Sequence, residues 1–146
     1  SQIEDEGYKL TAVLIPHSHK NHIKGITTLM KIYSPIIYAA DSSILEQKCE
    51  VLNGDGKMTV AGLTVEYMSV PGHSSDSMVY KIENMLFTGD TVIAGTIGNT
   101  SSKYSQKLLS SKIKEKLFEF PPQTIIFPGH GTPSTIESEK NFNMDM

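Results

Sequence analysis

The chain has 146 residues, of which 38% are hydrophobic and 20% charged, enough to close one core, and its net charge is −3. That balance offers no broad positive field and argues against nucleic-acid binding. A single cysteine excludes an internal disulfide and fits a reducing cytoplasm. No stretch reads as a signal peptide or a membrane span, so no membrane partner is expected.

In chain order, residues 2–8 read as the tail of a helix stopped at Gly7. Thr11 to Ile15 is a short buried strand. Ile26, Leu29, Met30 and Tyr33 follow i, i+3, i+4, i+7 spacing, which predicts an amphipathic helix over 23–33. Residues 36–39 form a strand. Ser43 with Glu46 resembles a capping box and predicts a short helix taking in Cys49 as a buried, inert thiol. Asn53-Gly54-Asp55-Gly56 is turn chemistry, followed by strands near 57 to 70, 77 to 82 and 85 to 88. Leu109, Ile113, Leu117 and Phe120 mark a second amphipathic helix before Pro121, with the lysines from Lys103 to Lys116 on its solvated face. Residues 125–127 are a last strand, and a short helix from about Thr135 closes the chain. Strands alternate with helices and no repeat or linker intervenes, so residues 1–146 read as a single α/β domain.

Chemistry concentrates in the loops that follow these strands. All five histidines fall there: His17, His19 and His22 after the first strand, His73 in Pro71-Gly72-His73-Ser74, and His130 in Pro128-Gly129-His130-Gly131. A carboxylate, Asp90, follows the apolar run ending in Thr88-Gly89. Imidazole is the commonest transition-metal ligand. In His17-Ser18-His19 alternate residues point the same way along an extended backbone, and His22 lies one helical turn beyond His19. Four strand ends meeting at one sheet edge would assemble a multi-ligand metal cluster from distant sequence.

The run His17-Ser18-His19-Lys20-Asn21-His22, then His73 in a Gly-His-Ser setting, Asp90 in Gly-Asp and a final Gly129-His130, resembles the metallo-β-lactamase superfamily, in family order. The segments 94–100 and 128–136 and Glu139-Lys140-Asn141 are similar to the short glyoxalase II-like hydrolases in particular. The resemblance implies an αββα sandwich. It implies a first metal held by His17, His19 and His73, a second by Asn21, His22 and His130, and Asp90 bridging the two. The implied catalytic positions are Asp90 and Asn21. At position 21 the family carries Asp, and an Asn carbonyl is neutral and cannot act as a base, which weakens the second site. Zinc is the implied metal, with iron or manganese as alternatives. The implied reaction is hydrolysis of a thioester or related ester, a small-molecule substrate, through a metal-bound hydroxide.

Two further functions stay open. His17, His73 and Asp90 alone would make the two-histidine, one-carboxylate set of a mononuclear iron dioxygenase, as in the persulfide dioxygenases of the same superfamily. Alternatively, the chain is a non-catalytic or incomplete metal-binding domain that needs a partner. Only sixteen residues precede His17, where the family usually opens with strands, so the sandwich reads as N-terminally truncated. Loss of outer strands would expose a sheet edge and favour a homo-oligomer that covers it. Ser74, Thr91 and Thr96 are candidate pocket residues by proximity to the ligands. Asn99 stands where the family often carries Arg.

Overall fold

The computed structural model describes residues 2–44 and 47–146. Helix α1 (Gln2–Asp5) ends ahead of Gly7, whose φ of +77° is the left-handed conformation that stops it. Strand β1 (Ala12–Leu14) leads through the first histidines into α2 (Lys20–Ile23) and α3 (Ile26–Tyr33). The helix expected over 23–33 is α3, which begins at Ile26, while residue 23 ends the separate short α2. Gly25, at φ +91°, breaks the path between them and turns the apolar face of α3 inward.

Strand β2 (Ile36–Ala39) pairs in parallel with β1, and β5 (Glu50–Val51) pairs in parallel with β2, giving a first sheet in the order β1-β2-β5. Between them β3 (Ser43–Ile44) pairs antiparallel with β4 (Gln47–Lys48). This corrects the short helix predicted there; Glu46, half of the proposed capping box, lies outside the described residues. Ile44 is 2% exposed and is bound into the core under the first sheet, so burial of an extended segment prevails over the capping pattern. Cys49 is buried as expected, but in extended backbone, with its N–H donating to the Ser42 carbonyl.

The second sheet holds β6 (Gly56–Val60), β7 (Leu63–Ser69), β8 (Met78–Ile82), β9 (Met85–Gly89), β12 (Ile125–Pro128) and β13 (Ser134–Thr135), in the order β13-β12-β9-β8-β7-β6. The stretch expected as strand from 57 to 70 folds back on itself at Ala61-Gly62, both with positive φ. After β9 a small hairpin of β10 (Val92–Ile93) and β11 (Thr96–Ile97) precedes α4 (Lys103–Lys116). Helix α4 is the crossover that lets β12 run parallel to β9. Helix α5 (Ile136–Phe142) starts at Thr135, whose hydroxyl accepts from the Ser138 N–H. None of these helices is long and apolar enough to cross a membrane.

Three buried clusters define the layers. Ile23, Ile26, Ile37 and Ile44 pack α3 against the first sheet. Leu52, Val65, Met78 and Tyr80, with Leu14 and Tyr38, fill the space between the sheets. Val79, Leu86 and Ile126 meet Leu109, Ile113, Leu117 and Ile136, which fastens α4 and α5 to the outer face of the second sheet. Adjacent β8 residues serve different cores, Val79 outward and Tyr80 inward, as the two-residue period of a strand buried on both faces requires. The layers run helix, sheet, sheet, helix, so the expected αββα sandwich is present.

Candidate metal centre

The histidine-bearing loops leave both sheets at one end and converge. His17 and His19 follow β1; His19 stands at the N-terminal boundary of α2, and its carbonyl accepts from the His22 N–H, so that His22 returns one turn later to the same side. His73 lies in the loop before β8, Asp90 immediately after β9, and His130 just beyond β12. The rings of His17 and His22 sit 3.9 Å apart between centroids, those of His17 and His19 4.6 Å, and those of His73 4.9 Å from each of His17 and His19. His130 lies on the far side of His22, at 5.3 Å.

Asp90 occupies the middle. Its Oδ2 is 3.0 Å from His22 Nε2, 3.5 Å from His17 Nε2 and 3.9 Å from His73 Nε2, and its Oδ1 accepts from His130 Nδ1 at 2.7 Å. Burial alone would raise the carboxyl, but the hydrogen bonds from His130 and His22 outweigh it and hold Asp90 below its ordinary value. Burial, reinforced by His22, pushes His17 down to about 4, so its imidazole is neutral at neutral pH, the form that ligates. The Nδ1–H of His73 donates to the Asn99 carbonyl at 2.8 Å. That bond fixes the tautomer and turns the Nε2 lone pair toward the cluster, the usual role of an outer partner to a metal-binding imidazole.

Two buried ring nitrogens, His17 Nε2 and His73 Nε2, have no hydrogen-bond partner. Orphaned buried nitrogens are costly, and these two face the same small space. The ligand atoms of His17, His19 and His73 lie within 4.8 Å of one another, and so do those of His17, His22 and Asp90. Nitrogen-rich donors with one shared carboxylate fit zinc or another borderline divalent ion. The backbone is fitted as closely as the side chains. A Cβ on Gly98 would strike the Asp90 carbonyl and press on His73, and one on Gly129 would strike His22.

The structure thus brings together all six ligand candidates read from the sequence. Asn21 lies in α2, but its side chain is outside the described part of the structure. Of the candidate pocket residues, Ser74 is engaged with Asp76 and Ser77, and Thr91 is 2% exposed and turned into the protein. The Thr96 carbonyl accepts from the Asn143 amide, and that asparagine, just past the end of α5, also binds buried Glu139, which in turn accepts from the Gly95 N–H. These contacts make Ser74 and Thr96 loop-fixing residues. Sequence reasoning quoted Gly98 and Gly129 within its motifs without giving either a role, and passed over Asp76, three residues after His73.

A model of the metallo-beta-lactamase superfamily matches residues 38–130. The chain belongs to the metallo-beta-lactamase superfamily. Over 131 residues it is 32% identical to the hydroxyacylglutathione hydrolase of Chromohalobacter salexigens, an alignment that covers 88% of this chain and 51% of that protein. The chain spans about half the length of several such hydrolases that it matches. Among solved structures, ETHE1 from Myxococcus xanthus superposes with a TM-score of 0.87 at 24% identity, covering 98% of this chain and 65% of that one. The B3 metallo-beta-lactamase BLEG-1 superposes with a TM-score of 0.85 at 24% identity, covering 98% and 80%. At that identity the likeness is one of fold.

Proposed function

We propose that this chain acts as a metal-dependent hydrolase of the glyoxalase II kind, with a thioester or related ester as its substrate class. The observation that carries this is the pair of buried, partnerless nitrogens, His17 Nε2 and His73 Nε2, facing the cluster around Asp90. The relatedness to hydroxyacylglutathione hydrolases supports the choice of thioester. His17, His19 and His73 would hold one ion, and His22 and His130 a second, with Asp90 shared between them. A divalent ion held there supplies a water of lowered pKa and polarises a carbonyl oxygen. The protein's own part is to keep Asp90 ionised, His17 neutral and the His73 tautomer fixed. Asn21 provides no base, so orientation of the attacking water falls to Asp90. His130, with 54% of its side chain exposed, marks the side from which a small substrate enters.

The test is elemental analysis of protein prepared without chelator or nickel affinity, paired with a thioester hydrolysis assay. Two zinc ions per chain and turnover that vanishes in both His17→Ala and Asp90→Ala, with circular dichroism unchanged, are expected. Hydrolysis retained in either variant overturns the proposal. A second reading, a mononuclear iron dioxygenase, is favoured by one observation: the grouped ligand atoms of His17, His22 and Asp90 are a two-histidine, one-carboxylate set, with His22 where the sequence suggested His73. One iron per chain, oxygen uptake with a persulfide and indifference to His130→Ala would decide for it.

A further inference from the structure

The Asp76 carboxylate bonds to Ser18 and Ser74, neighbours of His17 and His73, and so joins the two loops that carry those histidines. Its Oδ2 accepts from the Ser18 N–H at 2.8 Å, one residue beyond His17. Its Oδ1 accepts from the Ser74 hydroxyl at 2.7 Å, one residue beyond His73. The Ser74 hydroxyl is in turn 2.7 Å from that of Ser77, and Ser77 Oγ accepts from the Ser74 N–H at 3.2 Å, so the second loop is braced on itself.

Asp76 also does not act alone. Alternate residues along the approach to β8 and into it grip the same stretch of chain. The Met78 N–H donates to the Pro16 carbonyl at 2.7 Å, and the buried Tyr80 hydroxyl donates to the Ile15 carbonyl at 2.7 Å. Residues 78 and 80 are alternate residues of β8, and Asp76 lies in the turn just before it. They hold residues 15, 16 and 18, and His17 is the residue in that run whose side chain is left to the cluster. Two of the three rungs use groups that most sequences could supply or that serve the core. Only the Asp76 rung spans both ligand loops through a single side chain.

We infer that Asp76 is a positioning residue, which clamps the His17 loop to the His73 loop and thereby sets the metal affinity of the site. The inference rests on the metal reading above for its consequence, though not for the clamp itself. The experiment compares wild type, Asp76→Ala and Asp76→Asn by zinc competition against a chromophoric chelator. Amide hydrogen exchange at Ser18 is followed in the same proteins without zinc. In Asp76→Ala zinc affinity falls by about 10- to 100-fold, the range for loss of an outer-shell partner, and Ser18 exchange accelerates. Asp76→Asn keeps a carbonyl for the Ser18 N–H and restores most of the affinity.

Wild-type affinity in Asp76→Ala, or Asp76→Asn as weak as Asp76→Ala, overturns the inference. If Asp76→Ala does not fold, Ser74→Ala, which removes the Oδ1 arm and the Ser77 hydroxyl contact, is compared with Ser77→Ala, which removes that contact and keeps the arm: zinc binding weaker in Ser74→Ala than in Ser77→Ala upholds the clamp, and equal binding overturns it. A wild-type chain that takes up no zinc would instead sink the metal reading. In that case unequal Ser18 exchange between wild type and Asp76→Ala sustains the clamp, and equal exchange refutes it.

Discussion

One oxygen of Asp90 faces His22, His17 and His73 while the other faces His130, so a single carboxylate balances four imidazoles. Asp90→Asn keeps the shape but removes the charge and puts an amide donor among rings that need an acceptor or a metal. Bound metal in this variant is expected to fall below one ion per chain, with thioester turnover at background, both read from the same preparation. Gly129→Ala is a finer probe. Its methyl would strike His22 and come within 3.1 Å of the Asp90 Oδ1 that faces His130, so the variant should lose metal from the His22 and His130 side first, to about one ion per chain against the two expected of wild type. The residues of the cluster were legible in the sequence because histidine and aspartate announce their chemistry by identity, and each group of them came soon after an apolar run. Asp76, Gly98 and Gly129 were not, since a loop aspartate and two loop glycines look the same whether they brace a site or merely turn the chain.

Elements were legible where an apolar period ran long enough to exclude alternatives. Helix α4 shows this, for Leu109, Ile113 and Leu117 are each 0% exposed. Leu109 also lies against Gly72, next to His73, where an added Cβ would come within 2.7 Å of its own Cβ. Leu109→Ala should therefore cost about 2–5 kcal/mol by cavity formation, measured by denaturant unfolding of the metal-free protein. Two-residue strands such as β3, β4, β10 and β11 were not legible, because a pair of residues carries no period and only their partners reveal them. Helix α4 is also fastened by charge. The Lys116 ammonium donates to Asp55 Oδ1 at 2.9 Å and to the Ser69 carbonyl at 2.7 Å, while the Ser69 N–H donates to Asp55. Burial opposes ionisation of Asp55, but Lys116 and Ser69 outweigh it and lower its pKa from 3.8. A carboxyl lowered on folding stabilises above its unfolded pKa, and that contribution is lost as pH falls through the folded value. Melting temperatures of wild type and Asp55→Ala should differ at neutral pH and converge well below pH 3.8.

At the scale of the whole molecule, the centre straddles the two sheets: His17, His19 and His22 hang from the first, and His73, Asp90 and His130 from the second. A metal bound to both is a cross-link that the unfolded chain lacks. At a free zinc concentration one hundred times its dissociation constant the folded state should gain about 2.7 kcal/mol. A rise in melting temperature on adding zinc, reversed by chelator, is the check. The layered architecture was legible from alternating strands and helices, whereas the arrival of His130 beside Asp90 depends on the parallel pairing of β12 with β9, which no local pattern encodes. That pairing also sets an order of events. His22 and Asp90 are 68 residues apart, and Asp90 and His130 a further 40. During synthesis the first three histidines are therefore exposed long before the carboxylate and the last imidazole exist. Asp90 precedes β12, so a polypeptide stalled there would already hold the three histidines proposed for the first ion together with the shared carboxylate, and only the imidazole that completes the second ion's set would wait for the final strand to slot home.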